Sequence, residues 1–216
     1  MEIAILLYDD FTALDGIGPY EVLSRIPGAE VKFVSVDGGL IRSDTGALAI
    51  ATESTIADVP SPEILLVPGG PGADAAAADA RILAWLRRAH ETCRWTTSVC
   101  TGSLILGAAG LLEGLDATTH WASYDRLRAH GATPVARRFV RSGKIVTAAG
   151  VSAGIDMALY LLAEDQGEDY ARGVQLAIEY DPQPPFDSGS PAKAPPHVLE
   201  LVTAYFSDRA AASSRS

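Results

Sequence analysis

Reactive chemistry is most clearly signalled at Thr96-Thr97-Ser98-Val99-Cys100-Thr101-Gly102-Ser103. A β-like run meets a small pair and then an Ala-, Leu- and Gly-rich segment, which predicts a strand, a tight turn at Cys100 and a helix. Free helical amides at such a turn favour a thiolate, and Thr101, Gly102 and Ser103 leave little bulk over the sulfur. That is the setting of a covalent nucleophile, although a buried structural cysteine is the plain alternative. Cys93, between Thr92 and Arg94, has no comparable elbow and reads as structural. The four histidines, His90, His120, His130 and His197, show no metal-ligand spacing with either cysteine.

Three further segments could supply partners. Pro68-Gly69-Gly70-Pro71-Gly72 follows an apolar run, and its glycines allow an amide to point into a pocket, an oxyanion role that competes with simple loop formation. It is neither a G-x-G-x-x-G fingerprint nor a phosphate loop ending in Lys-Ser/Thr. In Leu14-Asp15-Gly16-Ile17-Gly18-Pro19, Asp15 lies between apolar residues and either shuttles a proton beside Cys100 or caps the helix through Glu21 and Leu23. Glu21 itself is expected to face solvent or form an ion pair. In Thr118-Thr119-His120-Trp121, His120 is a base for Cys100 or, the favoured reading, a pocket-wall residue, with Trp121 packing against the Ala-, Leu- and Gly-rich helix. Asp156, a lone acid in an apolar segment, reads as a cap or a helix-to-helix hydrogen bond.

Parallel strands would bring these segments to one edge, because strand C-termini in such a sheet point the same way. Apolar runs at Ile3 to Tyr8, Val31 to Val36, Ile64 to Val67, Trp95 to Val99 and Ile145 to Thr147 have the continuous character of strands buried on both faces. Helices are expected over Asp79 to Glu91, Gly102 to Leu112, Ala153 to Ala163, Arg172 to Glu179 and His197 to Phe206. The first carries an apolar stripe of Ile82, Leu83, Leu86 and Ala89. The Pro-, Gly- and Ser-rich stretch Asp181 to Pro196 is a packed loop or a linker, and the small polar end, from residue 209 or 210 to 216, should fray. A single catalytic domain over 1–208 with a flexible tail over 209–216 is the expected organisation.

The 216 residues carry 27 acidic and 17 basic side chains, a formal charge of −10 without a basic block. Nucleic acid is therefore an unexpected partner, since phosphate neutralisation needs clustered Lys and Arg. No apolar run approaches the roughly 20 residues needed to span a bilayer. With only two cysteines and no basic N-terminal region, a cytoplasmic setting without membrane association is expected.

Taken together, strand one with Leu14-Asp15-Gly16-Ile17-Gly18-Pro19, then Val67-Pro68-Gly69-Gly70, Ser98-Val99-Cys100-Thr101-Gly102 and Thr119-His120-Trp121 resemble the DJ-1/PfpI superfamily, and within it the isonitrile hydratases. The similarity covers about residues 2–208, including Val174 to Asp181 and Pro184 to Pro191. It implies an α/β, flavodoxin-like sandwich with a mainly parallel central sheet, helices on both faces and a homodimeric state. It also implies a nucleophile elbow at Cys100, followed by Thr101 as in the hydratases, with Asp15 as the proton-transfer acid. The implied reaction adds water to an uncharged isocyanide through a Cys100 thioimidate, without metal or organic cofactor. Gly69, Gly70, His120 and Trp121 fall at oxyanion or pocket positions. Thr101 stands where the peptidase-like branch has histidine, and the ~20 residues after Pro196 are too few for the helix-turn-helix domain of the regulator branch. A cysteine-based stress sensor or chaperone, and a glyoxalase-like enzyme acting on methylglyoxal, are the alternatives within the same superfamily.

Overall fold

The computed structural model describes residues 1–213, with side chains through residue 206. The chain forms two compact units, 1–178 and 179–216. In the first, β1 (Glu2–Leu6) leads into α1 (Ala13–Leu23), then β2 (Glu30–Ser35), a hairpin of β3 (Gly39–Arg42) and β4 (Ala49–Thr52), the short β5 (Ser54–Thr55), and β6 (Ile64–Val67). Next come α2 (Ala73–Ala78), α3 (Ala80–Thr92), β7 (Trp95–Val99) and α4 (Gly102–Ala108). After these follow β8 (Asp116–Ala117), a 3-10 turn at Trp121–Ser123, α5 (Tyr124–Ala129), β9 (Thr133–Pro134), β10 (Phe139–Ser142), β11 (Ile145–Ala148), α6 (Ala153–Gln166) and α7 (Glu168–Ala177). The second unit holds the loop from Glu179 and α8 (Pro196–Ser213), which extends beyond the expected Phe206 and overlaps the expected tail; residues 214–216 of that tail lie outside the described residues.

Seven strands form the main sheet in the order β10-β11-β7-β6-β1-β2-β5. All neighbours are parallel except the edge strand β10, which runs antiparallel to β11. Every residue of β6, β7 and β11 is buried, as continuous apolar or β-branched runs covered on both faces require. α1 packs on α6 and α6 on α7, while α2, α3, α4 and α5 form a second contiguous group. The result is the expected flavodoxin-like sandwich.

Local chemistry sets the element ends. Asp79 caps α3 by accepting from Arg81 N at 2.8 Å. Ile82, Trp85, Leu86 and Ala89 form the buried stripe of α3, with Leu83 at its margin, and Trp85 donates to Val59 O at 2.8 Å. α4 stops at Ala108, short of the expected Leu112, and Gly110 in left-handed backbone follows it. Asp156, in the first turn of α6, is paired with the Arg138 guanidinium instead of capping or bridging helices. Glu21 is exposed and paired with Arg25 at 3.1 Å, one helical turn on.

Candidate active site

The C-terminal ends of β1, β6 and β7 share one sheet edge, so the loops that follow them meet there. Cys100 immediately follows β7, with φ at +57°, a region a residue bearing Cβ rarely occupies. Its main chain is held from several directions: Cys100 N donates to Ala148 O at 3.0 Å, and its carbonyl accepts from Ser103 Oγ at 3.1 Å and Thr119 Oγ1 at 3.0 Å. Such over-determination is what keeps a strained residue in place. Strand, left-handed cysteine and helix make a nucleophile elbow.

Asp15 reaches the elbow from α1. Thr12, not Asp15, is the N-cap of this helix; Asp15 lies in its first turn, completely buried. Its Oδ2 accepts from Gly69 N at 2.9 Å. Its Oδ1 is buried without a well-aligned partner, and the Cys100 thiol is the side chain with which the carboxyl interacts. Loss of hydration pushes Asp15 up to about 7, against the stabilising Gly69 N–H and Cys100 hydrogen bonds, and the Asp44 carboxylate adds to the rise.

The thiol departs from expectation. Burial raises the Cys100 pKa, and the negative charge of Asp15 raises it further; Thr101, through its backbone N–H and its side chain, opposes both. The small residues at the elbow do not leave an open, solvated thiolate, because the sulfur is almost completely enclosed. The resting site is therefore a thiol beside a carboxyl close to half-ionised at neutral pH. Thiol and carboxyl titrate as a pair, and the singly protonated form carries both a nucleophile and a base.

The glycine loop completes this wall. Gly70 has φ at +144°, and a Cβ there would stand 2.4 Å from Asp10 O and 2.6 Å from Thr12 N. A Cβ on Gly69 would lie 2.5 Å from Thr101 N. Glycine thus lets the β6 loop touch both the α1 loop and the elbow. Its amides are committed: Gly69 N–H to Asp15, and Gly70 N–H to Thr101 Oγ1 at 2.9 Å. The Thr101 hydroxyl can direct its own proton to Gly70 O, 3.3 Å away, or to the sulfur. Both loop amides orient the two polar partners of the thiol.

Thr119 brings the His120 segment to the elbow through its bond to the Cys100 carbonyl. His120 Nδ1 accepts from Ala122 N at 3.4 Å, its ring lies 5.4 Å from that of Trp121, and burial lowers its pKa, disfavouring the charged imidazolium. Cys93 is buried and free, as is Cys100. Sequence reasoning missed Thr119, which gave no sign that its hydroxyl would hold a carbonyl 19 residues away. A cleft of about 400 Å³ lined by Arg137, Phe139, Arg141 and Tyr160 lies along β10 and includes none of these site residues.

A flavodoxin-like sheet with a left-handed cysteine after a central strand and a buried acid after the first defines a class of α/β proteins built around one thiol. The chain belongs to the DJ-1/PfpI family, whose model matches residues 1–164. It is 46% identical over 200 residues to the isonitrile hydratase of Pseudomonas putida, covering 93% of this chain and 87% of that protein. The crystal structure of a THiJ/PfpI family protein from Pseudomonas syringae is 41% identical, with a TM-score of 0.92 over 96% of this chain and 86% of the other. Drosophila melanogaster DJ-1beta, at 18% identity and a TM-score of 0.75, covers 82% and 97% of the two chains and shares the fold. Among the described residues, no helix is long and apolar enough to cross a membrane.

Proposed function

We propose that the protein is a cofactor-independent isonitrile hydratase that converts an isocyanide, R-N≡C, to the N-substituted formamide. The observation that carries this reading is the buried Cys100 thiol beside a carboxyl titrating at about 7, in a chain 46% identical to an isonitrile hydratase. An isocyanide suits such a site because it is uncharged and its terminal carbon accepts both a nucleophile and a proton.

In the proposed sequence Cys100 Sγ bonds to the terminal carbon while Asp15 takes the thiol proton and delivers it to the same carbon. The product is a thioimidate, R-N=CH-S-Cys100. Water then adds across C=N, its hydroxyl to carbon and its proton to nitrogen. The C–S bond breaks, the hydroxyl proton returns to the thiol and carboxyl pair, and R-NH-CHO leaves. One water is consumed and the enzyme is restored. Thr101 N–H steadies the sulfur as it gains and sheds negative charge, Gly69 and Gly70 hold Asp15 and Thr101 in register, and His120 and Trp121 serve as pocket wall. The protein acts as a homodimer in the cytoplasm.

The test is the appearance of formamide from an isocyanide, run in parallel with methylglyoxal as substrate. Isocyanide turnover by the wild type and its loss in Cys100→Ala are expected; full turnover by Cys100→Ala sinks the covalent route.

A further inference from the structure

We infer that Tyr8 is a positioning residue for the reaction, acting on Asp15 through the Pro68–Gly69 peptide. Tyr8 Oη donates to Pro68 O at 2.7 Å, and Gly69 N donates to Asp15 Oδ2 at 2.9 Å. Pro68 C=O and Gly69 N–H are the two ends of one planar peptide unit. The three groups therefore form one line, from phenol to peptide to carboxylate. A donor at the carbonyl polarises the amide and strengthens its N–H as a donor. It also fixes the tilt of the peptide plane, and with it the direction in which the Gly69 N–H points.

The setting makes this line consequential. Tyr8 is buried, with its hydroxyl committed to Pro68, and burial and the nearby Asp15, Cys100 and Asp74 raise its pKa, so it is a donor throughout the working range. Asp15 faces the Cys100 thiol from the elbow, the Asp44 carboxylate from the segment after β3, and Tyr8 from the end of β1. None of these is a cation. The Gly69 N–H donates to Oδ2 and Oδ1 has no aligned partner, so besides the Cys100 thiol the ionised carboxylate is supported by this one peptide. A group that sets the strength of that peptide sets where the acid titrates.

This inference rests on the hydratase reading only for the reaction's name, and its test does not require turnover. The rate of Cys100 alkylation by iodoacetamide, localised by peptide mass spectrometry, reports the titration of the pair. In the wild type it should rise with pH through about 7, as the pair loses its first proton. In Tyr8→Phe the ionised carboxylate loses support, and the acid limb should move up by about half a pH unit, within the range by which one hydrogen bond changes a pKa. Replacing Tyr8 alone with 3-fluorotyrosine, a stronger donor of similar shape, should move the limb the other way. This second variant decides the matter if Tyr8→Phe does not fold. An acid limb fixed in a folded variant, whatever the drop in overall rate, would mean that Tyr8 only fills space. Failure of the wild type to hydrate an isocyanide, with the limb still moving, overturns the proposed reaction and leaves the role of Tyr8 intact.

Discussion

Cys93 and Cys100 bracket the same strand, and both are buried free thiols whose pKa burial raises. Around Cys93, the sulfur has hydrogen-bond partners in Thr96 Oγ1 and His90 O. Thr96 Oγ1 lies 2.9 Å away and is itself 2.8 Å from His90 Nδ1, while the Lys144 ammonium is held by the carbonyls of His90, Glu91 and Cys93 and lowers the thiol pKa. Around Cys100 the backbone is left-handed, the nearest charge is negative, and a buried carboxyl oxygen lacks an aligned donor. A positive charge thus eases ionisation of Cys93 while a negative one opposes that of Cys100, so electrostatics alone does not single out Cys100. In the reaction we propose, the contrast places reactivity in a base able to take the thiol proton during attack and in a turn that presents the sulfur, with little help from a preformed thiolate.

The largest effect that could break this contrast is on the thiols themselves. Cys100→Ala should lower isocyanide kcat/KM by about 10³-fold or more, whereas Cys93→Ala should stay within roughly threefold of wild type, as expected for removing a nucleophile and a packed side chain respectively. Steady-state kinetics on both variants check this.

Asp15→Asn should cost about 10²- to 10⁴-fold in kcat/KM, the usual worth of a positioned acid-base group. It should also stabilise the protein. The folded pKa of Asp15, about 7, lies above the ordinary carboxylate value, so Asp15 favours the folded state most at low pH, and this contribution is lost as pH rises through 7. Above pH 7 the amide removes a buried charge and should add a few kcal/mol, read as a higher Tm at pH 8 than the wild type's and a smaller difference at pH 5. The wild-type kcat/KM should rise with pH through about 7 and lose this limb in Asp15→Asn.

Gly70→Ala tests the backbone half of the contrast. Its Cβ would stand 2.4 Å from Asp10 O, in a conformation L residues rarely adopt, so the β6 loop must shift. A loss of about 1–3 kcal/mol by denaturant unfolding is expected, with activity falling further as Asp15 loses its amide. The smallest effect belongs to Thr96→Val, which removes the hydroxyl shared by Cys93 and His90. About 1 kcal/mol of stability and no more than a twofold change in activity are expected.

Much of this site could be read from residue types and spacing. Cys100, Thr101 and Gly102 sit between a β-branched strand and an Ala-, Leu- and Gly-rich helix, a local pattern strong enough to place the elbow. Asp15 was legible as an acid among apolar neighbours, but its choice between capping and proton transfer depended on Thr12 taking the N-cap, one turn earlier. A turn near helical amides suggests a thiolate at Cys100. Desolvation and the charge of Asp15, both products of tertiary packing, outweigh those amides. The β3–β4 hairpin and edge strand β10 also escaped, since neither has the continuous apolar run of the central strands. Tyr8 is the sharpest case, because its link to Asp15 passes through a peptide whose orientation no side-chain pattern records.

The most direct test of the central claim is rapid-quench mass spectrometry of the wild type mixed with an isocyanide. The account predicts a transient gain of one isocyanide mass on the peptide containing Cys100, none on Cys93, and decay of the adduct at the rate formamide appears. Formamide production at full rate without any Cys100 adduct, and undiminished in Cys100→Ala, would contradict it.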